Sequence, residues 1–343
     1  MSVFFIISIV LLFFPSHYKV FNEKYISKEQ ANVIKGFFLL LVFMQHFSGY
    51  APVNTRRDYF YQLWRQHSGQ LLVTMFLFYS GYGIFVSIRN KGISYVKKIP
   101  VNRALKVLLH FDIAVIIYII MQFMRGHVYS FKKLVLSLIG WDTVGNSNWY
   151  IFAMLILYLI TWLTFMAFED RPIEALIGVT ILSILAMYFL SIFKEGYWYN
   201  TILCYPAGMW FAFGKDKLEE RWKNKKIYIW SFCVILLVFI MCYRIRTNII
   251  WYSVWGLAFS FGIVMFTMKV EMKNRILEWT GCHLFGLYIM QRIPMILLQH
   301  TAFAEKYVYG YALACLILMY ILGYLLERVC MVADRFVFGK EVS

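Results

Sequence analysis

The chain has 343 residues, 61% hydrophobic and 15% charged, with a formal net charge of +16. That balance excludes an ordinary soluble domain and fits a polytopic membrane protein. It also excludes nucleic acid as the partner behind the charge: the cations form short clusters between apolar runs, and no basic helix is long enough to follow a groove.

Eleven apolar segments follow one another, at about 2–14, 31–50, 70–88, 105–123, 149–168, 173–193, 197–213, 227–243, 248–268, 283–299 and 308–327. Most approach the roughly 20 residues a helix needs to cross the hydrocarbon. The expected fold is all-α, a bundle of about 10–11 transmembrane helices without a soluble domain. The first segment is short, and no small-residue cleavage site follows it, so a tilted or partial first helix is expected. The expected organisation is a short helix and cytoplasmic linker over 1–30, a membrane domain over 31–327 and a cytoplasmic tail over 328–343.

Placing 15–30 in the cytoplasm puts 22 Lys and Arg on that side and 10 on the other, with Lys35 and Arg292 inside spans. The positive-inside rule favours this orientation, with the N-terminus outside and the C-terminus cytoplasmic. The longest connections, 51–69, 124–148 and 214–226, are too short for a folded domain. The cysteines form no CxxC and read as small core hydrophobes. No HExxH or Asp cluster occurs, so no metal is expected.

In chain order, the first stretch with chemistry is "IKGFFLLLVFMQHFSGY", residues 34–50. Lys35 and His46 are eleven helical steps apart, which places them on one stripe, roughly 16 Å apart along the axis. The plain readings are a snorkelling anchor for Lys35 and an interhelical hydrogen bond for His46. An ionisable group inside a span more often faces a cavity, and imidazole suits proton transfer. His46 is therefore a candidate general base or nucleophile.

In "VTMFLFYSGYGIFV", residues 73–86, Ser80, Gly81 and Gly83 interrupt an aromatic run. Small residues there let a helix or a bound chain come close. "RNKGISYVKKIPVNRALK", residues 89–106, is the densest basic run before a span. Topology alone accounts for its charge, but Arg103 and Lys106, three apart at a helix start, face one way and suit phosphates. "WDTVGNSNWYIFAMLILY", residues 141–158, offers Asn148 as a helix cap and Trp149 as an interface aromatic. "HLFGLYIMQRIPMILL", residues 283–298, holds Gln291, Arg292 and Pro294 in mid-span. Arg292 must face protein or water, and Pro294 is expected to kink the helix.

In this order, these stretches resemble acyltransferase family 3, the membrane O-acyltransferases. The family has a basic residue and a His separated by ten residues, here Lys35 and His46. It continues with a Phe-rich segment ending in SGY, here "FLFYSGYG", and an R-x-x-R pair, here Arg103-Ala-Leu-Lys106. An aromatic span start, here "NWYIF", and a late "YGIYLIH.P" segment, here "FGLYIMQRIP", complete the pattern. The likeness covers about residues 31–327. The departures are Lys35 and Lys106 where Arg is commoner, which keep the charge but lose the bidentate fork, and Gln291 where His is frequent.

The resemblance implies transfer of an acyl group, commonly acetyl, from cytoplasmic acyl-CoA to a hydroxyl of an envelope glycan, in a multi-pass protein of the bacterial inner membrane. On that reading His46 acts at the thioester. Lys35, Arg103 and Lys106 hold the donor head or line the tunnel mouth, and the donor arm runs along the Lys35–His46 stripe beside Ser80, Gly81 and Tyr82. Asn148, Trp149 and Arg292 shape the site or hold helices. Direct transfer and an acyl-histidine intermediate stay open. The implied partners are the lipid bilayer, acyl-CoA and the glycan, with a homo-oligomer left open. The rival readings are a glycan polymerase or flippase, which calls for a large outer loop, and a secondary transporter, which calls for paired broken helices in two related halves. Neither pattern is in the sequence.

Overall fold

The computed structural model describes residues 1–53 and 55–339; Lys340, counted above with the cytoplasmic cations, lies outside them. The helices are α1 (Ser2–Phe13), α2 (Lys28–Phe47), α3 (Tyr59–Ser68), α4 (Leu71–Lys91), α5 (Ile93–Lys97) and α6 (Lys106–Met124). They continue as α7 (Phe131–Leu138), α8 (Trp149–Ala167), α9 (Pro172–Phe193), α10 (Cys204–Lys223), α11 (Lys225–Ile245) and α12 (Ile249–Thr267). The last are α13 (Arg275–Cys282), α14 (Leu284–Met290), α15 (Arg292–Leu298), α16 (Ala302–Lys306) and α17 (Val308–Phe338). Two short strands, β1 (Ser16–Tyr18) and β2 (Val270–Met272), pair antiparallel with Ser16 opposite Met272.

Every apolar segment of the sequence is helical. Seven helices are long and apolar enough to cross a membrane: Pro100–Met124, which is α6 with its lead-in, together with α4, α8, α9, α11, α12 and α17. α13 with α14–α15 forms a further apolar unit, bent by 77°. α1, with 12 residues, is about 18 Å long, short of the roughly 30 Å hydrocarbon core. α2 and α10 are 20 residues each and carry several charged residues at one end.

Asparagine and serine side chains set several boundaries. Ser27 Oγ accepts the Gln30 N–H at 3.2 Å and starts α2. Asn224, Asn248 and Asn274 cap α11, α12 and α13 in the same manner, each accepting from the N–H groups two and three residues on. These caps satisfy helix-start donors where the chain turns between apolar runs.

Contacts between loops follow the alternation read from the sequence. On the Lys-rich face β1 meets β2, and Lys106 pairs with Asp334 at 2.9 Å. On the opposite face Tyr309 donates to Asp58 at 2.8 Å, the Gln70 N–H donates to Tyr252 at 2.9 Å, and Lys194 donates to the Trp141 carbonyl at 2.6 Å. Each of these contacts joins segments that alternation assigns to one face.

α17 is helical as far as Phe338. Two expectations need correction. The 214–226 stretch is not a loop, since α10 runs to Lys223 with a Lys215–Glu219 pair one turn apart at 2.7 Å. Segment 283–299 is not one helix kinked at Pro294: the sharp bend lies at His283, and a second break falls at Gln291. Gln291 is fully buried and turns its Nε2 back onto the Tyr288 carbonyl at 2.7 Å, interrupting the ladder. Pro294, the third residue of α15, lacks the N–H that would bond the Met290 carbonyl, so this second break falls in the turn a proline loosens.

Glycines bring two helix pairs into backbone contact. A Cβ at Gly36 would lie 2.0 Å from the Leu277 carbonyl oxygen, and one at Gly281 would lie 1.9 Å from that of Asn32, so α2 and α13 touch. Gly81 against Tyr205 and Gly208 against Phe78, both at 2.0 Å, join α4 to α10. Close backbone approach replaces the absent hydrophobic drive between helices in lipid.

Candidate active site

His46 stands one residue before the C-terminal end of α2, in the wall of a small cavity of about 50 Å³. Gln45, Gln70, Val73, Trp149 and Tyr288 share that wall. The His46 ring lies 6.3 Å from Tyr288, and Tyr288 lies 5.8 Å from Tyr150. Gln291 and Arg292 lie close enough to act electrostatically on His46. Several polar atoms here are buried without a hydrogen-bond partner among the described residues: His46 Nδ1, Gln45 Oε1, the Tyr288 hydroxyl and Gln291 Oε1. Each such atom is costly in a packed interior. A cluster of them around a cavity is the arrangement of a site that completes its hydrogen bonds with a polar substrate.

Arg292 is anchored beside this cavity rather than set free in it. Its Nε donates to the Tyr50 hydroxyl at 2.8 Å, and Nη1 donates to the Asn146 carbonyl at 3.4 Å. Asn148 occupies the cap position of α8 but makes no cap bond; its Nδ2 donates to the carbonyls of Gly140 and Asp142, both at 2.9 Å, and pins the loop before the helix. Trp149 is 9% exposed and faces His46's cavity, so it is a wall of the site and not an interface aromatic.

A second cavity, of about 410 Å³, opens near the Lys-rich face and is lined by Lys91, Ser94, Tyr95, Lys98, Asn102, Arg103 and Lys106. Four of its seven residues are cationic and none is acidic. Arg103 donates from Nε to the Tyr95 hydroxyl at 3.1 Å, which orients the guanidinium. The chain from Pro100 to Leu105 is a π-helical turn ahead of α6, and Arg103 and Lys106 still reach the same cavity. Lys106 is partly committed to Asp334 and also borders a neighbouring cavity that includes Cys282. Lys35 lies beside Cys282 and makes no ion pair or hydrogen bond among the described residues.

α4 contributes to the lining of both cavities, whereas α2 lines only that of His46. Between Lys35 and His46 the α2 stripe carries Leu39 and Val42, both buried, and Val42 stands in the wall of the His46 cavity. On α4, Val73 lines the His46 cavity and Lys91 lines the basic one. They are eighteen residues apart, five helical turns, so they share a stripe about 27 Å long. Ser80 and Ser87 lie on that stripe, and no atom comes within 4 Å of a Cβ placed at the adjoining Gly83. Across from it, α8 presents Tyr150 next to Ser80 and Tyr158 in electrostatic range of Arg103.

Of the residues singled out from the sequence, His46, Trp149 and Arg292 are brought together at one end, and Arg103 and Lys106 at the other, with Ser80 between. Gly81 serves the α4–α10 contact, and Tyr82 turns to Phe211 of α10, 6.2 Å away, rather than to the stripe. Sequence reasoning missed Tyr150, Tyr158, Tyr288, Gln45 and Lys91. In a chain with 25 Tyr nothing in the local pattern sets these three apart. Lys91 was hidden in a run of topological charge.

The family model for an acyltransferase domain, that of acyltransferase family 3, matches residues 29–328. No curated protein and no solved structure matches the chain.

Proposed function

The chain belongs to acyltransferase family 3, and we propose that it is a membrane O-acyltransferase that moves an acyl group, acetyl in the simplest case, from acyl-CoA to a hydroxyl of an envelope glycan. The observation that carries this reading is the α4 stripe, which begins in a cavity of four cations and ends beside His46. The cations suit the phosphates of a CoA head, with Arg103 in a fixed orientation and the lysines as point charges. A narrow stripe of small and hydroxyl side chains suits a thin pantetheine arm. The thioester then arrives among the unpartnered polar atoms around His46.

In the proposed reaction, a neutral His46 takes the proton of the acceptor hydroxyl as its oxygen attacks the thioester carbon. The C–O bond forms, the C–S bond breaks, and the CoA thiolate leaves with the proton that His46 returns. The Tyr288 hydroxyl, 6.3 Å from His46 ring to ring, is the donor for the carbonyl oxygen as it gains charge. Trp149 and the aromatic wall exclude water, which favours the glycan over hydrolysis. On this reading the Lys-rich face is cytoplasmic and the acceptor enters from the opposite face.

The test supplies radiolabelled acetyl-CoA to membranes containing wild type or His46→Ala at matched levels, and counts alkali-labile label in glycan. Label with wild type that falls by about 10²–10⁴ with His46→Ala supports the reading, the range general base catalysis spans. Equal label in both removes His46 from the mechanism.

A further inference from the structure

The two ring nitrogens of His46 have different surroundings. Nδ1 is fully buried and makes no hydrogen bond among the described residues. The ring stands in the cavity wall, which leaves Nε2 as the nitrogen toward the open space. A neutral imidazole holds one proton, and the hydrogen bond available to one nitrogen decides which of the two carries it. A base that faces the cavity through Nε2 keeps its proton on Nδ1. A proton buried in a packed wall needs an acceptor.

Gln291 offers that acceptor. It is 0% exposed, at the break between α14 and α15. Its Nε2 donates to the Tyr288 carbonyl at 2.7 Å, which fixes the way the amide points. Oε1 is therefore the free end, and it is also buried without a partner among the described residues. Among the groups that act on the His46 ring, Gln291 is the one that meets it as a hydrogen-bond partner. An unfilled donor and an unfilled acceptor thus lie at one place, and the hydrogen bonds of a catalytic base often tighten only when substrate binds. Gln45 is the other unfilled amide in the cavity, but it leaves α2 about 100° round the helix from His46.

The neutrality of this partner also fits its surroundings. Arg292, the next residue, is held beside the cavity by the Tyr50 hydroxyl, and no acidic residue lines the cavity. A carboxylate at position 291 would have the guanidinium as a rival partner. An amide oxygen stays available to the imidazole.

Resting on the acyl-transfer reading, we infer that Gln291 is a positioning residue: its Oε1 accepts the Nδ1–H of His46, holds the ring in the Nδ1–H tautomer and turns Nε2 toward the acceptor hydroxyl. In the reaction the hydroxyl proton passes to Nε2, and the imidazolium keeps its Nδ1–H on Gln291. Nε2 then gives its proton to the leaving thiolate. No proton passes to the amide.

The test reads tautomer and rate separately. In purified protein with isotope-labelled histidine, the His46 ring signals are those absent from His46→Ala, and their nitrogen shifts report which nitrogen holds the proton. Wild type is expected to show Nδ1–H. Gln291→Met, which keeps the length and removes the acceptor, is expected to lose that preference, and Gln291→Glu, which restores an acceptor oxygen, to regain it. In membranes given radiolabelled acetyl-CoA, Gln291→Met is expected to lower kcat about tenfold or more, the scale of one lost hydrogen bond, with acetyl-CoA affinity unchanged. An Nε2–H ring in wild type, or a tautomer indifferent to Gln291→Met, overturns the inference and leaves acyl transfer standing. So does the expected tautomer change at unchanged kcat. A fall in acetyl-CoA affinity alongside kcat assigns Gln291 to helix packing and overturns it too. Absence of label with wild type overturns acyl transfer itself, and the tautomer then has no reaction to serve.

Discussion

The two cavities differ in nearly every physical respect. The basic one is about eight times larger, opens near the Lys-rich face and is lined by charge. The His46 cavity is small, has Trp149 and Tyr288 in its wall, and holds buried polar atoms without partners among the described residues. Charge that stays hydrated can attract a polyanion at modest cost, whereas unsatisfied neutral dipoles in a dry wall are organised for one geometry. The contrast teaches that, on the proposed function, one cavity is suited to holding the donor and the other to the reaction.

The comparison can be broken by kinetics. The largest expected effect is at His46: His46→Ala lowers kcat by about 10²–10⁴ with donor binding retained. Measured acetyl-CoA affinity that falls in parallel with kcat places His46 among the holding residues instead. Next comes Arg103→Ala, expected to raise the KM for acetyl-CoA about tenfold or more while kcat changes little, as the loss of charge-assisted hydrogen bonds predicts. Arg103→Lys should recover part of that loss, and less at high salt. A drop in kcat at unchanged KM would contradict the assignment. Tyr288→Phe is expected to lower kcat about tenfold, the lower range for a single donor to a developing oxyanion, with the KM for donor unchanged.

The smallest effect concerns the clasp that closes the Lys-rich face. Glu271 of β2 pairs with Lys19 at 2.7 Å and Lys273 at 3.1 Å. The Lys19 contact first, and then Lys273, hold its carboxyl below the usual glutamate value. Its folded-state pKa is thus below the unfolded one, so its contribution is complete above about pH 4.3 and is lost as pH falls through the folded value. Both lysines are substantially exposed, which keeps the effect within about 1 kcal/mol. Thermal unfolding of Glu271→Gln against wild type should differ at neutral pH and converge in acid. A difference that persists below the folded pKa would show that the clasp acts through packing.

The sequence by itself determined the number and order of the apolar segments, which became helices, because burying backbone polar groups in lipid leaves few alternatives to a helix. It determined which loops share a face, since charge alternates with each crossing. It also marked Lys35, His46 and Arg292, because ionisable groups are too costly in a span to be incidental. Tertiary structure alone decided what joins them. On the Lys35–His46 stripe Leu39 and Val42 are buried, and α2 is held against α13 by glycine contacts between residues more than two hundred positions apart. On α4, Gly83 is exposed and a Cβ placed there has no neighbour within 4 Å, while Gly81, two residues earlier, meets Tyr205. No local pattern separates two glycines of one SGYG stretch. Only the helix that comes to lie against one of them does.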